Sequence, residues 1–162
     1  MKILQLVRYL KYEYVNGVPA LYHINDALKY YYHKYDKDEI NNKKICLSQF
    51  RTNNGYSRMS LYNDHNFELA MLLWDKNSQS KIHTHDSNCT FMVLEGQIYE
   101  ARYIKTDALH LKGTYEYNPS DVGNVLENEY HNMFNIDSDR SLTLHVYNNL
   151  DNFQTNFDLL MG

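Results

Sequence analysis

From Tyr56 onward the sequence falls into eight short runs of β-branched, aromatic and aliphatic residues: SRMSLY, FELAMLLW, CTFMVLEG, QIYEARYI, ALHLKGTYEY, NVLEN, HNMFNI and SLTLHVY. Runs this short, each closed by polar residues, read as strands. DKNSQS, YNPSDVG and NIDSDRS carry the turn chemistry between them. About eight strands at this spacing specify a sandwich or a jelly-roll barrel. The sequence has no Gly-rich phosphate loop and no βαβ alternation, which disfavours nucleotide-binding folds.

Before residue 50 the period is helical. In HINDALKYYYHKYDKDEI, Ile24, Leu28, Tyr31 and Tyr32 recur at i, i+4, i+7 and i+8, a stripe that packs against a sheet, and Asn25 or Asp26 is the expected N-cap. A chain of 162 residues is expected to form one domain over 1–162, a helical segment over 1–50 packed on a β-barrel over 51–162. The net charge of −4, with no run of five like charges, leaves no footprint for nucleic acid or an anionic membrane, and neither is an expected partner. The opening MKILQLVRYLKYEY is interrupted by Arg8, Lys11 and Glu13, unlike a signal peptide or spanning helix, so a soluble, cytoplasmic protein is expected, and a monomer is the expected state. Two cysteines, Cys46 and Cys89, are too few for a disulfide framework and leave free thiols or one special linkage.

Eight histidines are present, and His83 with His85 form H-x-H in a stretch that reads as strand. Residues i and i+2 of a strand share a face, so both imidazoles can reach one ion. A lone H-x-H is as readily two polar residues on a solvated face. Here it opens a longer pattern, H-x-H-x3-C-x6-G from His83 to Gly96, while His131 and Asn135 make H-x3-N with Pro119 and Gly123 upstream. These resemble the two cupin motifs. Cys89 stands where the generic cupin has Glu, Asn77 stands where the first motif begins with Gly, and the Pro119 to His131 stretch departs from the usual P-x-G-x2-H spacing. His23, His33, His65 and His110 lack comparable partners and are read as exposed or hydrogen-bonded.

Cys89 in place of the cupin Glu, together with SLTLHVY, resembles the cysteine dioxygenase family. Tyr56-Ser57-Arg58 resembles its Y-x-R, Trp74 lies nine residues before His83, His145 and Tyr147 form its H-x-Y, and Phe157-Asp158 matches a terminal F-D. The resemblance covers residues 50 to 158. It implies a mainly β fold, a cupin jelly-roll β-barrel with a few N-terminal helices. It also implies one Fe(II) per chain on His83, His85 and His131, with L-cysteine and O2 as substrates and cysteine sulfinic acid as product. Ligand type alone leaves Zn(II), Ni(II) and Cu(II) open, so iron rests on the resemblance.

The same resemblance makes Arg58 the clamp for the cysteine carboxylate, a planar anion that a guanidinium grips with paired hydrogen bonds. Tyr56, two residues away, lines the same pocket. Thr143, His145 and Tyr147 alternate onto one face, which permits a relay of hydroxyl, imidazole and phenol beside the iron; the family has Ser at the first position. Cys89 and Tyr147 match the pair that animal members join by a thioether, although the His85–Cys89 segment is one residue shorter here. Gln154 stands near where those enzymes carry a second pocket cysteine. The alternatives are a dioxygenase of the same fold acting on 3-mercaptopropionate or cysteamine, a metal-dependent cupin isomerase or zinc hydrolase, and a non-enzymatic cupin, which would be expected to lose ligands.

Overall fold

The computed structural model describes residues 1–50 and 54–149. Three helices, α1 (Ile3–Glu13), α2 (Leu21–Lys34) and α3 (Lys37–Leu47), precede β1 (Tyr56–Asn63), β2 (Phe67–Asp75), β3 (Cys89–Glu95), β4 (Ile98–Lys105), β5 (Leu109–Tyr117), β6 (Val122–Val125), β7 (Tyr130–Phe134) and β8 (Arg140–Asn148). Every strand pair is antiparallel. The strands make two sheets, β1-β2-β8-β3-β6 and β5-β4-β7.

Side-chain alternation assigns each face of the larger sheet to its own core. Phe67, Leu69, Met71 and Leu73 of β2 join Leu142, Leu144 and Val146 of β8 and the apolar stripes of the helices. The intervening Ala70, Leu72 and Trp74 join Phe91, Tyr147, Ile98 and Met133 between the two sheets. The order is therefore helices, five-stranded sheet, three-stranded sheet. Because both faces of β2, β3 and β8 are covered, these strands are nearly continuously apolar. Each buried aliphatic side chain contributes about 1.5–3 kcal/mol.

Three expectations are corrected. Among the described residues the sheets do not close into a hydrogen-bonded barrel: the expected short turn after β2 extends to residue 88 as an irregular loop, and isolated bridges Gln79↔Phe134 and His83↔His131 stand where a ladder would. α2 begins after Ala20, so Asn25 and Asp26 lie inside it. A cap is worth only about 1 kcal/mol, and fully buried Ile24 is seated by the turn that precedes the polar pair. The helical run also breaks at extended Tyr35, because the Asp36 carboxylate accepts from the Asp38 and Glu39 N–H groups at 3.0 and 3.1 Å and starts α3.

Asn77, in the cupin glycine position, has φ of 68°, a left-handed conformation that Asn tolerates better than most residues. Gly96 has φ of +72°, and a Cβ there would come within 2.4 Å of the Arg140 carbonyl oxygen. Among the described residues no helix is long and apolar enough to cross a membrane. Gln154 and Phe157-Asp158 lie outside the described residues.

Candidate metal centre

The long β2–β3 loop is fastened along β7. The Asn77 N–H donates to the Asn135 carbonyl at 2.7 Å, Ser80 N–H to Met133 O at 2.9 Å, and His83 and His131 exchange both backbone bonds at 2.9 and 3.0 Å. The buried Asn135 side chain anchors the corner, donating to the Trp74 and Ser138 carbonyls at 3.1 and 3.0 Å and accepting from Ser138 N–H. His83 and His85 thus sit in this loop rather than in a regular strand, His83 in an isolated bridge. The expected strand is corrected because the loop bonds to the edge of β7 instead of entering a ladder.

The loop carries both rings against the His131 ring. His131 Nε2 lies 3.1 Å from Nε2 of His83 and 3.1 Å from Nε2 of His85, and the three nitrogens fall within 4.8 Å of one another. All three side chains are buried. Burial, reinforced by the neighbouring His131, pushes His83 down to about 3 and His85 down to about 2, so both rings are neutral. His83 Nδ1 lies 2.7 Å from the Lys81 carbonyl oxygen, and His131 Nδ1 lies 2.7 Å from Glu100 Oε2. Both oxygens only accept, so each Nδ1 carries its proton, and the Nε2 of His83 turns its lone pair toward His131 Nε2. The two 3.1 Å separations from His131 suit nitrogens that share a metal bonded at about 2.0–2.1 Å. The donor set fits a resident metal ion.

Glu100 was not foreseen. It is fully buried, and it meets His131, the Arg102 Nε–H at 2.9 Å and the Tyr117 hydroxyl at 3.0 Å. Burial pushes its carboxyl up, but His131 and Arg102 outweigh this and hold it below the ordinary value. A carboxylate behind a ligating imidazole fixes the ring's tautomer and orientation. The available signal was charge on an inward period: Glu100 is two residues from core residue Ile98 in β4.

The remaining candidates lie on the same inner face. The strand register pairs Cys89 of β3 directly with Tyr147 of β8. Thr143 Oγ1 accepts from the Trp74 indole N–H at 2.9 Å and lies 2.8 Å from His145 Nε2. His145 Nδ1 is 3.9 Å from Cys89 Sγ. Burial pushes the Cys89 thiol well up and His145 well down, leaving both neutral. The Tyr147 ring lies 5.6 Å from the His85 ring and 5.7 Å from that of His145. Across it the Arg58 guanidinium sits 5.5 Å from the ring centroid. Tyr56 stacks on Trp74 at 5.0 Å.

Arg58 also pairs with Glu68 of β2, a second unforeseen carboxylate. Its signal was a lone charge inside the apolar run FELAMLLW. Outside this region, His23 lies near Glu13 and His110 near Asp107. Cys46 is an exposed free thiol on α3.

The family model described as cysteine dioxygenase type I matches residues 33–157. A search of the curated proteins finds no match. Among solved structures, the Schizosaccharomyces pombe Cnp3 cupin domain is 14% identical, with 58% of this chain and 64% of that chain covered and a TM-score of 0.51. Lactobacillus farciminis oxalate decarboxylase, as a formate complex, is 14% identical over 61% of this chain and 30% of that one, with a TM-score of 0.52. Peruvianin-I, a cysteine peptidase from Thevetia peruviana latex, is 15% identical over 66% and 69%, with a TM-score of 0.55. At these identities the likeness is one of fold.

Proposed function

We propose, from the premise that this chain belongs to the cysteine dioxygenase type I family, that it is an iron(II)-dependent thiol dioxygenase whose substrate is free L-cysteine. The observation that carries this reading is the convergence of three buried imidazoles beside an inner face bearing Arg58, Cys89, His145 and Tyr147. His83, His85 and His131 would hold the ion. Imidazole also suits zinc, nickel and copper, so the choice of iron rests on the family. When bound, iron(II) supplies the redox chemistry that lets dioxygen react with a thiol. Both oxygen atoms end on sulfur, R–SH + O2 giving R–SO2H, so no external reductant is consumed.

The protein's own groups position this reaction. Neutral ligands keep the metal site cationic, which favours an anionic thiolate. Glu100 holds the Nδ1 proton of His131. Arg58 grips the substrate carboxylate, Tyr147 and His145 line the sulfur side, and Tyr56 packs behind them on Trp74. Thr143, between the Trp74 N–H and His145, fixes the plane of that imidazole. Directly opposed cross-strand residues have Cβ atoms about 4.5–5.5 Å apart, close enough for Cys89 and Tyr147 to become joined by a thioether. The bond forms with loss of the S–H and one ring C–H hydrogen, dioxygen being the oxidant. After turnover with iron, cysteine and oxygen, intact mass should show a species lighter by two hydrogens, absent from Cys89→Ser; an unchanged mass after exhaustive turnover contradicts the linkage.

The substrate assignment is tested by kcat/KM for L-cysteine, cysteamine and 3-mercaptopropionate in wild type and Arg58→Ala. A hydrogen bond to a charged group contributes about 1.5–3 kcal/mol, so Arg58→Ala should lower efficiency on cysteine roughly 10- to 150-fold with iron content unchanged. Lysine at 58 should restore only part of it, since a point charge does not reproduce the paired geometry. Equal activity on cysteine in both proteins would remove Arg58 from substrate binding and reopen the choice of thiol.

A further inference from the structure

Arg58 does not face the centre as an isolated cation. On β2 the residues Ala70, Leu72 and Trp74 point between the sheets, and Glu68 continues that alternation, opposite Tyr147 in the β2–β8 register. Its carboxylate meets the Arg58 guanidinium, with 12% and 16% of the two side chains exposed. The guanidinium in turn lies over the Tyr147 ring. The position that a substrate carboxylate would take on Arg58 therefore adjoins an anion the protein itself provides.

We propose, resting on the reading of Arg58 as the carboxylate clamp, that Glu68 is a specificity-determining residue which shares Arg58 with the substrate carboxylate and selects aminothiols over thiols that carry an acid alone. With only Arg58, a cationic pocket would rank thiols by negative charge, 3-mercaptopropionate before zwitterionic cysteine before cationic cysteamine. Glu68 makes the pair neutral and removes that preference for negative charge, and its own charge then favours thiols that carry an amine. Because the pair is largely buried, solvent screens its charge poorly, and the cancellation acts at contact range. The amine of an aminothiol offsets the repulsion its carboxylate meets at Glu68; 3-mercaptopropionate has no such group.

The test is anaerobic calorimetric titration of the Fe(II)-loaded protein with the three thiols, wild type against Glu68→Gln, with kcat/KM in air measured alongside. Removing one charge should shift binding in graded order. 3-Mercaptopropionate should tighten about tenfold, cysteamine should weaken about tenfold, and cysteine should move least, a contact-range charge being worth at least one factor of ten. Glu68→Asp, which keeps the charge, should keep the wild-type order. Should Glu68→Gln lose its iron or its cooperative melt, Glu68→Asn carries the same comparison.

If Glu68 merely props Arg58 in place, the neutral variants will weaken cysteine and 3-mercaptopropionate together, as loss of the clamp itself should, and that result overturns the proposal. An unchanged order in Glu68→Gln overturns it as well. A graded shift in a protein that oxidises none of the three thiols would leave this inference standing and remove the dioxygenase reading. Absence of thiol binding by the wild type would remove both.

Discussion

The five-stranded sheet buries both faces, but with different chemistry. Toward the helices β8 presents Leu142, Leu144 and Val146; toward the smaller sheet it presents Thr143, His145 and Tyr147, and all six are buried. The helix-side face is held by volume and apolar area, which neighbouring side chains can partly replace. The inner face is held by specific pairs, such as Trp74 to Thr143, Thr143 to His145 and Arg58 to Glu68, where a lost partner leaves a buried polar atom behind. One strand thus carries core and chemistry on alternate residues, and the two sets should fail in different ways when altered.

The largest expected effect lies on the apolar face. Leu144→Ala should destabilise the fold by about 2–5 kcal/mol in denaturant unfolding, through lost burial plus a cavity, while the native fraction still binds its full complement of metal. Loss of metal from the folded protein would show that the faces are not separable. A smaller effect on stability, but a selective one, is expected from Glu100→Gln: metal affinity should fall roughly 10- to 100-fold, read by competition with a chelator. Its pH dependence follows from the depressed carboxyl. The stabilisation Glu100 provides is present above its ordinary value of 4.5 and is lost as pH falls through the lower folded value, so the variant should lose less stability on acidification than wild type. An unchanged acid profile would mean that Glu100 is not charged against His131.

The strands and the three clustered histidines were readable because both depend on local spacing. Alternation and turn residues marked the eight runs, and the H-x-H and H-x3-N patterns marked His83, His85 and His131. What the spacing did not contain was the loop that carries His83 and His85, because its path is set by Asn135 and the edge of β7, some fifty residues away in the chain. Glu100 and Glu68 were hidden for a similar reason. A carboxylate in an apolar run is costly until its partner is known, and His131 and Arg58 reach them from other strands. The mainly β cupin fold with N-terminal helices is as expected, and only the closure of its two sheets differs, because alternation specifies which face is buried, not which strand edges pair.

The central claim, that the three histidines hold an iron which drives thiol dioxygenation, is tested by oxygen uptake on iron-reconstituted protein given L-cysteine, with iron and sulfinate measured in the same samples. The account predicts iron-dependent uptake with one O2 consumed for each cysteine sulfinic acid formed, and loss of both iron and uptake in His131→Ala. Iron-loaded protein that consumes no oxygen with cysteine, or a His131→Ala protein that keeps its iron and its turnover, would contradict it.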